Sequence, residues 1–260
     1  MPTALFLSPH LDDVAFSCGG TLLRLADDPA WRVVLCTVFT ATVENPQGFA
    51  LRCQTDKGLA PEADYMALRR GEDCAYSEDA GVDDAWHWEG CEAPHRGYET
   101  PVELFAGEHA NDMAWLAARD ALTSLDATLQ PDVVFAPQGL GNHVDHLQTI
   151  RALLSVYPAQ GKVCWYRDTP YAIREPDARP SSLFDAAGLT QRRVTLPEDV
   201  LARKIAGCCR YASQIGFQFG GAEGVREKLT DFHRAEAGGD GYAENFLVAH
   251  DSTLISLLPS

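Results

Sequence analysis

Within roughly its first forty residues the chain reads strand, helix, strand, and that order restricts the fold more than any other feature. Ala4–Leu7 is a short apolar run closed by Ser8-Pro9, which fits a buried strand. Thr21–Ala26, after Gly19-Gly20, reads as a helix, and the β-branched, apolar run Trp31–Phe39 as a second strand. Such a βαβ unit makes its two strands parallel and its crossover right-handed. The alternation continues downstream. Glu62–Ala80 reads as a helix and Ala85–Trp88 as a short strand. His109–Leu129 carries helical periodicity in Met113, Leu116, Ala117 and Ala121. Val133–Ala136, opened by Pro131-Asp132 and closed by Pro137 and Gly139, is a third clear strand. His146–Tyr157 reads as a helix, Val163–Tyr166 as a strand and Val194–Leu196 as a fifth, with a long helix from Pro197-Glu198 to about Ile215. Thr42–Ala63 and Glu89–Gly107 mix Gly, Pro and polar residues and read as long surface loops. The expected fold is α/β: a Rossmann-like open, mostly parallel sheet with helices on both faces. No repeat, low-complexity tract or linker interrupts residues 1–260, so one domain is expected.

The chain has 260 residues, with 21 Lys+Arg against 37 Asp+Glu and a formal net charge of −16. DNA, RNA and anionic membrane surfaces want clustered Lys and Arg, and no such block exists here. The 46% apolar and 9% aromatic content is enough for a large core and excludes disorder over most of the chain. The N-terminus lacks a basic segment, and its apolar run is too short for a signal peptide or a membrane span. None of the eight cysteines forms a Cys-x-x-Cys pair. Cys36 and Cys164 lie in strand-like runs, and Cys208-Cys209 in a helical pattern, so they read as packing residues. A reducing cytoplasm is the expected location.

In open α/β sheets, ligands bind outside the carboxyl ends of the strands. Two of the loops there are rich in ligand-type residues. The first, Ser8-Pro9-His10-Leu11-Asp12-Asp13, follows strand one. A dinucleotide fold would place a glycine fingerprint here; two carboxylates would instead repel a pyrophosphate and attract a divalent cation. His10 and Asp13, three apart in a strand-to-helix turn, can both reach one metal, and imidazole with carboxylate suits zinc or ferrous iron. Asp12 lies between them and would sit beside the metal, free to act as a base. The competing reading makes Asp12 or Asp13 an N-cap of the next helix. Gly19-Gly20 reads as close helix–sheet packing. The second loop, Gly139-Leu140-Gly141-Asn142-His143-Val144-Asp145-His146, follows the third strand and opens a helix. His143 and His146 fall about one turn apart on one face. One can complete the metal set while the other stands at its rim, oriented by a carboxylate. Three protein ligands with an open position make a catalytic site, not a structural one.

These segments resemble the paired signature of the LmbE/PIG-L family of metal-dependent N-deacetylases. The usual first motif there is Pro-His-Pro-Asp-Asp/Glu, and Leu11 in place of proline resembles the glycopeptide-antibiotic deacetylase type. Arg69-Arg70-Gly71-Glu72 resembles the family's Arg-x-x-Glu helix start. Tyr166-Arg167-Asp168-Thr169-Pro170-Tyr171-Ala172 resembles its Tyr-x-Asp-x-Pro-Tyr-Ala segment, and Lys204 with Tyr211-Ala212-Ser213-Gln214 its C-terminal helix. The resemblance covers about residues 4 to 250. It implies His10, Asp13 and His146 as zinc ligands, Asp12 as general base, and His143 as oxyanion stabiliser in cationic form with Asp145 as its orienting partner. Arg69, or Arg70 in its place, would contact substrate. Leu140-Gly141-Asn142 stands where relatives acting on pseudo-disaccharide thiol precursors often carry a tyrosine.

The implied activity is hydrolysis of the acetamide of an N-acetylated amino sugar or glycoconjugate, with Zn2+, Fe2+ or another divalent cation as cofactor. The alternatives are an amidase of thiol conjugates on the same scaffold and a catalytically silent metal- or sugar-binding module. A homo-oligomer is compatible with the sequence. Trp86 or Trp88 offers a stacking platform for a sugar, although at least one is expected in the core; Tyr171 is a further pocket candidate. His109, His233 and His250 read as structural or solvated.

Overall fold

The computed structural model describes residues 1–250. In chain order the elements are β1 (Thr3–Ser8), α1 (Asp13–Ala26), β2 (Arg32–Thr37), α2 (Gly48–Thr55), α3 (Tyr65–Ala80), β3 (Asp84–His87), α4 (Ala114–Leu129) and β4 (Val133–Pro137). There follow α5 (Val144–Val156), β5 (Val163–Tyr166), α6 (Tyr171–Arg174), β6 (Leu189–Thr195), α7 (Glu198–Cys208), α8 (Ala212–Phe219), α9 (Ala222–Glu236) and β7 (Ala243–Ala249). The strands form a seven-stranded sheet in the order β3-β2-β1-β4-β5-β7-β6. β1 to β5 pair in parallel, whereas β7 runs antiparallel to both β5 and β6. The open, mostly parallel α/β sheet expected from the sequence is the one observed.

The unbroken apolar character of β1 follows from this placement. Successive strand residues point to opposite faces, and both faces are covered. Ala4 and Phe6 enter a core built with α1, α7 and α9, through residues such as Leu22, Ile205 and Leu229. Leu5 and Leu7 enter the opposite core, with Leu122 of α4 and Leu153 of α5. Gly20 bears out the packing reading of the glycine pair: a Cβ there would lie 2.7 Å from the Leu196 side chain.

β1 is also the strand at which the order reverses. The chain proceeds from β1 to β2 and β3 on one side, then returns to β4 and β5 on the other. The crevice between the carboxyl ends of β1 and β4 is therefore the topological switch point. The two ligand-rich loops leave those two ends.

Four elements depart from the sequence reading. The expected loop Thr42–Ala63 contains α2. The long helix expected up to Ile215 breaks after Cys208 and resumes as α8. Helix α9 and strand β7 were not anticipated. α9 is mostly polar; its buried residues are Val225, Leu229, His233 and Glu236, too narrow a stripe to read as a core-facing helix. β7 carries Glu244 and Asn245 in its buried stretch, which hides its strand character. Among the described residues no helix is long and apolar enough to cross a membrane.

Candidate active site and metal centre

The turn between β1 and α1 brings its three polar residues inward. His10, Asp12 and Asp13 are all buried. The backbone N–H of His10 donates to Asp13 Oδ2 at 2.8 Å, fixing the carboxylate against the turn that carries it. Asp12 stands at the N-cap position of α1 but makes no side-chain capping bond, so capping does not explain it. Its φ of 148° lies in the left-handed region that favours glycine, backbone strain of the kind found at functional sites. Its Oδ2 lies 3.7 Å from Arg69 Nη2.

The loop after β4 meets this turn. Asp13 Oδ2 lies 3.1 Å from His10 Nδ1 and 3.2 Å from His146 Nε2. His10, His143 and His146 each offer a nitrogen within 4.8 Å of the others, so this group can hold a metal ion. The other nitrogens of two rings are already engaged. His10 Nε2 is 2.9 Å from Asp145 Oδ2, and His146 Nδ1 is 2.5 Å from Asp168 Oδ1. Each carboxylate holds the facing N–H, which leaves His10 Nδ1 and His146 Nε2 as the lone-pair sites on the Asp13 side.

The donor set fits a cation. His146 Nε2 is fully buried without a hydrogen-bond partner, an arrangement costly unless something else satisfies it. Burial, the largest single influence, pushes both rings toward neutrality, but the carboxylates together outweigh it: Asp13 with Asp145 raises His10 well above its ordinary pKa, and Asp13 with Asp168 raises His146 to about 9. The pocket thus demands positive charge at the point where the three side chains converge.

His143 behaves differently. Its Nδ1 accepts the backbone N–H of Asp145 at 3.2 Å. That acceptor role places the ring proton on Nε2, where it can act as a hydrogen-bond donor. Burial, with the neighbouring His10, lowers its pKa to about 3. The expected contact between the Asp145 carboxylate and the His143 ring is not the one observed. That carboxylate turns to His10 on one oxygen and to Arg96 Nη2, at 2.7 Å, on the other. It reaches His143 through its backbone only.

Arg69 and Arg70 separate. Arg69 is buried beside Asp12, pairs with Glu92 and donates to the Leu11 carbonyl at 3.3 Å. Arg70 points away, to Thr40 O and Thr42 Oγ1. Above these groups lies a pocket of about 260 Å³ lined by His10, Asp12, Asp13, Arg69, His143 and Tyr171 among others. Tyr171 therefore is a pocket residue. Trp86 is 43% exposed on β3 and Trp88 packs against the core, and neither lines the pocket. Burial sets the Asp12 carboxyl up to about 8, with Arg69 opposing and Asp13 adding to the rise; a cation held beside it would favour the carboxylate form that a base needs.

Residues 5–157 match the family described as PIG-L, GlcNAc-PI de-N-acetylase. The chain belongs to the PIG-L family. It is 32% identical over 232 residues to 2'-N-acetylparomamine deacetylase of Streptomyces fradiae, covering 88% of this chain and 78% of that one. Among solved structures it is similar to the zinc-inhibited form of teicoplanin deacetylase, with a TM-score of 0.80 and 26% identity, covering 96% of this chain and 100% of that one. It is also similar to A40926 pseudoaglycone deacetylase, with a TM-score of 0.77 and 27% identity over 94% of this chain and 96% of that one. The expectations of a PIG-L-type α/β fold and a deacetylase are borne out.

In this PIG-L chain three site groups escaped the reading of the sequence. Asp168 stands in the Tyr166–Ala172 segment, where the sequence alone assigns it no role. It follows β5, so the rule that sites gather at strand carboxyl ends contained the signal. Glu92 and Arg96 sit in the long loop after β3, where no local pattern distinguishes them. His109 and His233 are structural, as expected. His109 stacks on Tyr98 at 4.0 Å, and buried His233 bonds the Ala243 carbonyl through Nδ1 at 2.9 Å. His250 lies 2.9 Å from Thr190 Oγ1.

Proposed function

We propose that the whole chain acts as a single metal-dependent deacetylase domain that removes the acetyl group from an N-acetylated amino sugar within a small glycoconjugate. One observation carries the reading. His10, Asp13 and His146 converge on a point that demands a cation, while Asp12 beside it is left uncapped and facing the pocket. Those three residues hold the metal; imidazole and carboxylate donors suit Zn2+, and Fe2+ shares the preference. When bound, such an ion lowers the pKa of a water and polarises an amide carbonyl.

The protein's own groups do the rest. Asp12 takes the proton from the attacking water and returns it to the departing amine as the C–N bond breaks and acetate leaves. His143, through its Nε2–H, donates to the oxygen on which negative charge develops; loss of such a donor costs about 2.7–4 kcal/mol in the barrier. Asp168 and Asp145 hold the rings of His146 and His10. Arg69, clamped by Glu92, meets the sugar next to Asp12. Eight free thiols suit a reducing cytoplasm.

The test is acetate release by metal-reconstituted protein across a panel of N-acetylglucosamine conjugates. Turnover that disappears together with the metal in His146→Ala is expected. A fully metallated protein that releases no acetate from any member would overturn the assignment in favour of a silent binding module.

A further inference from the structure

The outer pocket differs in character from its floor. The floor is ionic and paired: Arg69 with Glu92, Arg96 with Asp145, His146 with Asp168. The rim is apolar and open. It is built by α2, by the loop before α4 and by α8, which contribute Phe49, Leu104, Phe105 and Phe217. Phe217 is 71% exposed, Phe105 is 40% exposed, and Val102 of the same loop is 76% exposed. Large apolar side chains left in water together around a pocket mouth mark a surface that another apolar body covers. Phe105 packs edge-on against His143, with ring centres 5.2 Å apart, so the apolar rim runs directly into the site.

The rim also carries charge of one dominant sign. Lys57 and Arg174 line it, and neither has a carboxylate partner among the described residues. Lys57 Nζ donates to the Tyr65 hydroxyl and lies 5.8 Å from the centre of the Phe217 ring. Arg174 Nη2 is held by the Gln218 side chain at 2.6 Å. Asp56, exposed, is the opposing acid on this rim. These two cations are unusual in a chain with a net charge of −16.

Resting on the deacetylase reading, we propose that this mouth selects the aglycone: an aromatic body that stacks on Phe217 and Phe105 and carries an anionic group facing Lys57 and Arg174. A polycationic aglycone meets two cations without carboxylate partners there and is disfavoured.

Four N-acetylglucosaminides test this with the metallated full chain: methyl, phenyl, 4-carboxyphenyl and 4-(aminomethyl)phenyl. Both kcat/KM for acetate release and calorimetric Kd are measured. Phenyl is expected to exceed methyl by about tenfold, from apolar burial on the rim. Carboxyphenyl should exceed phenyl by about threefold and aminomethylphenyl should fall below it, as exposed charge pairs allow. Phe217→Ser should collapse the phenyl-to-methyl ratio. Lys57→Gln with Arg174→Gln should collapse the carboxyphenyl-to-phenyl ratio. Both substitutions lie on exposed or half-buried positions, so the fold should tolerate them. Equal constants for methyl and carboxyphenyl glycosides, or ratios untouched by the variants, would overturn the proposal. Absence of any acetate release sinks the deacetylase reading instead, and the order of Kd values still decides the mouth.

Discussion

Two buried ionic clusters flank helix α1, and they are built on opposite principles. On one side Glu244 of β7 meets Lys204 of α7 at 2.7 Å. Both oxygens of Glu244 are occupied: they accept from the backbone of Gly20 and Thr21 and from Thr21 Oγ1, and Lys204 also donates to the Ser17 carbonyl. The pair ties helix α1 to strand β7. On the other side, His10, Asp13 and His146 face one another with a buried nitrogen left unsatisfied and Asp12 uncapped. Saturated polar groups hold a fold together, whereas unsatisfied ones of matched chemistry wait for a ligand. Of the two, the second is the one the proposed function assigns to chemistry.

The sharpest test of that contrast is Asp12→Asn. A general base contributes about 10²–10⁴-fold, so kcat should fall by that order while metal stoichiometry and melting temperature stay near wild type. Wild-type turnover in this variant would end the base assignment. Glu244→Ala should produce the converse pattern. It leaves Lys204 buried and unpaired, which costs about 3–5 kcal/mol of stability, read by denaturant unfolding, with metal affinity unchanged. Equal losses of metal affinity and stability would erase the distinction between the clusters.

Asp168→Asn probes the boundary, because Asp168 is both saturated and attached to the site. Its removal as the anionic partner of His146 should weaken metal affinity by about 10–100-fold in a competition titration, with little change in unfolding. An effect of similar size belongs to pH. His233 lies near the Lys204–Glu244 pair, and burial, with Lys204 adding, lowers its pKa to about 3. The folded state therefore keeps the ring neutral while the unfolded chain binds a proton below about pH 6.5. Stability present above that value is lost as pH falls toward the folded pKa. By pH 5 the loss from this residue is about 2 kcal/mol, and His233→Gln should remove that part of the acid slope. A variant with an unchanged slope would show that other groups carry it.

Legibility followed the range of the interactions. The turn at His10–Asp13 and the segment His143–His146 could be read because each packs its chemistry into a few residues beside an apolar strand. Tyr171 could be named but not placed, and Arg69 could not be told from Arg70, since both depend on which way a helix faces. Asp145 shows the limit most plainly. The family resemblance made it the orienting partner of His143, but the side chain crosses to His10 on another loop.

The order of apolar runs determined the parallel sheet, its two covered faces and the position of both reactive loops, because burial on two sides and a right-handed crossover leave few topologies. Tertiary structure alone decided the protonation of His143, the ring partners of His10 and His146, the antiparallel last strand and the aromatic rim. Each of these rests on contacts between segments far apart in the chain, and burial changes a side chain's charge only after those segments have met.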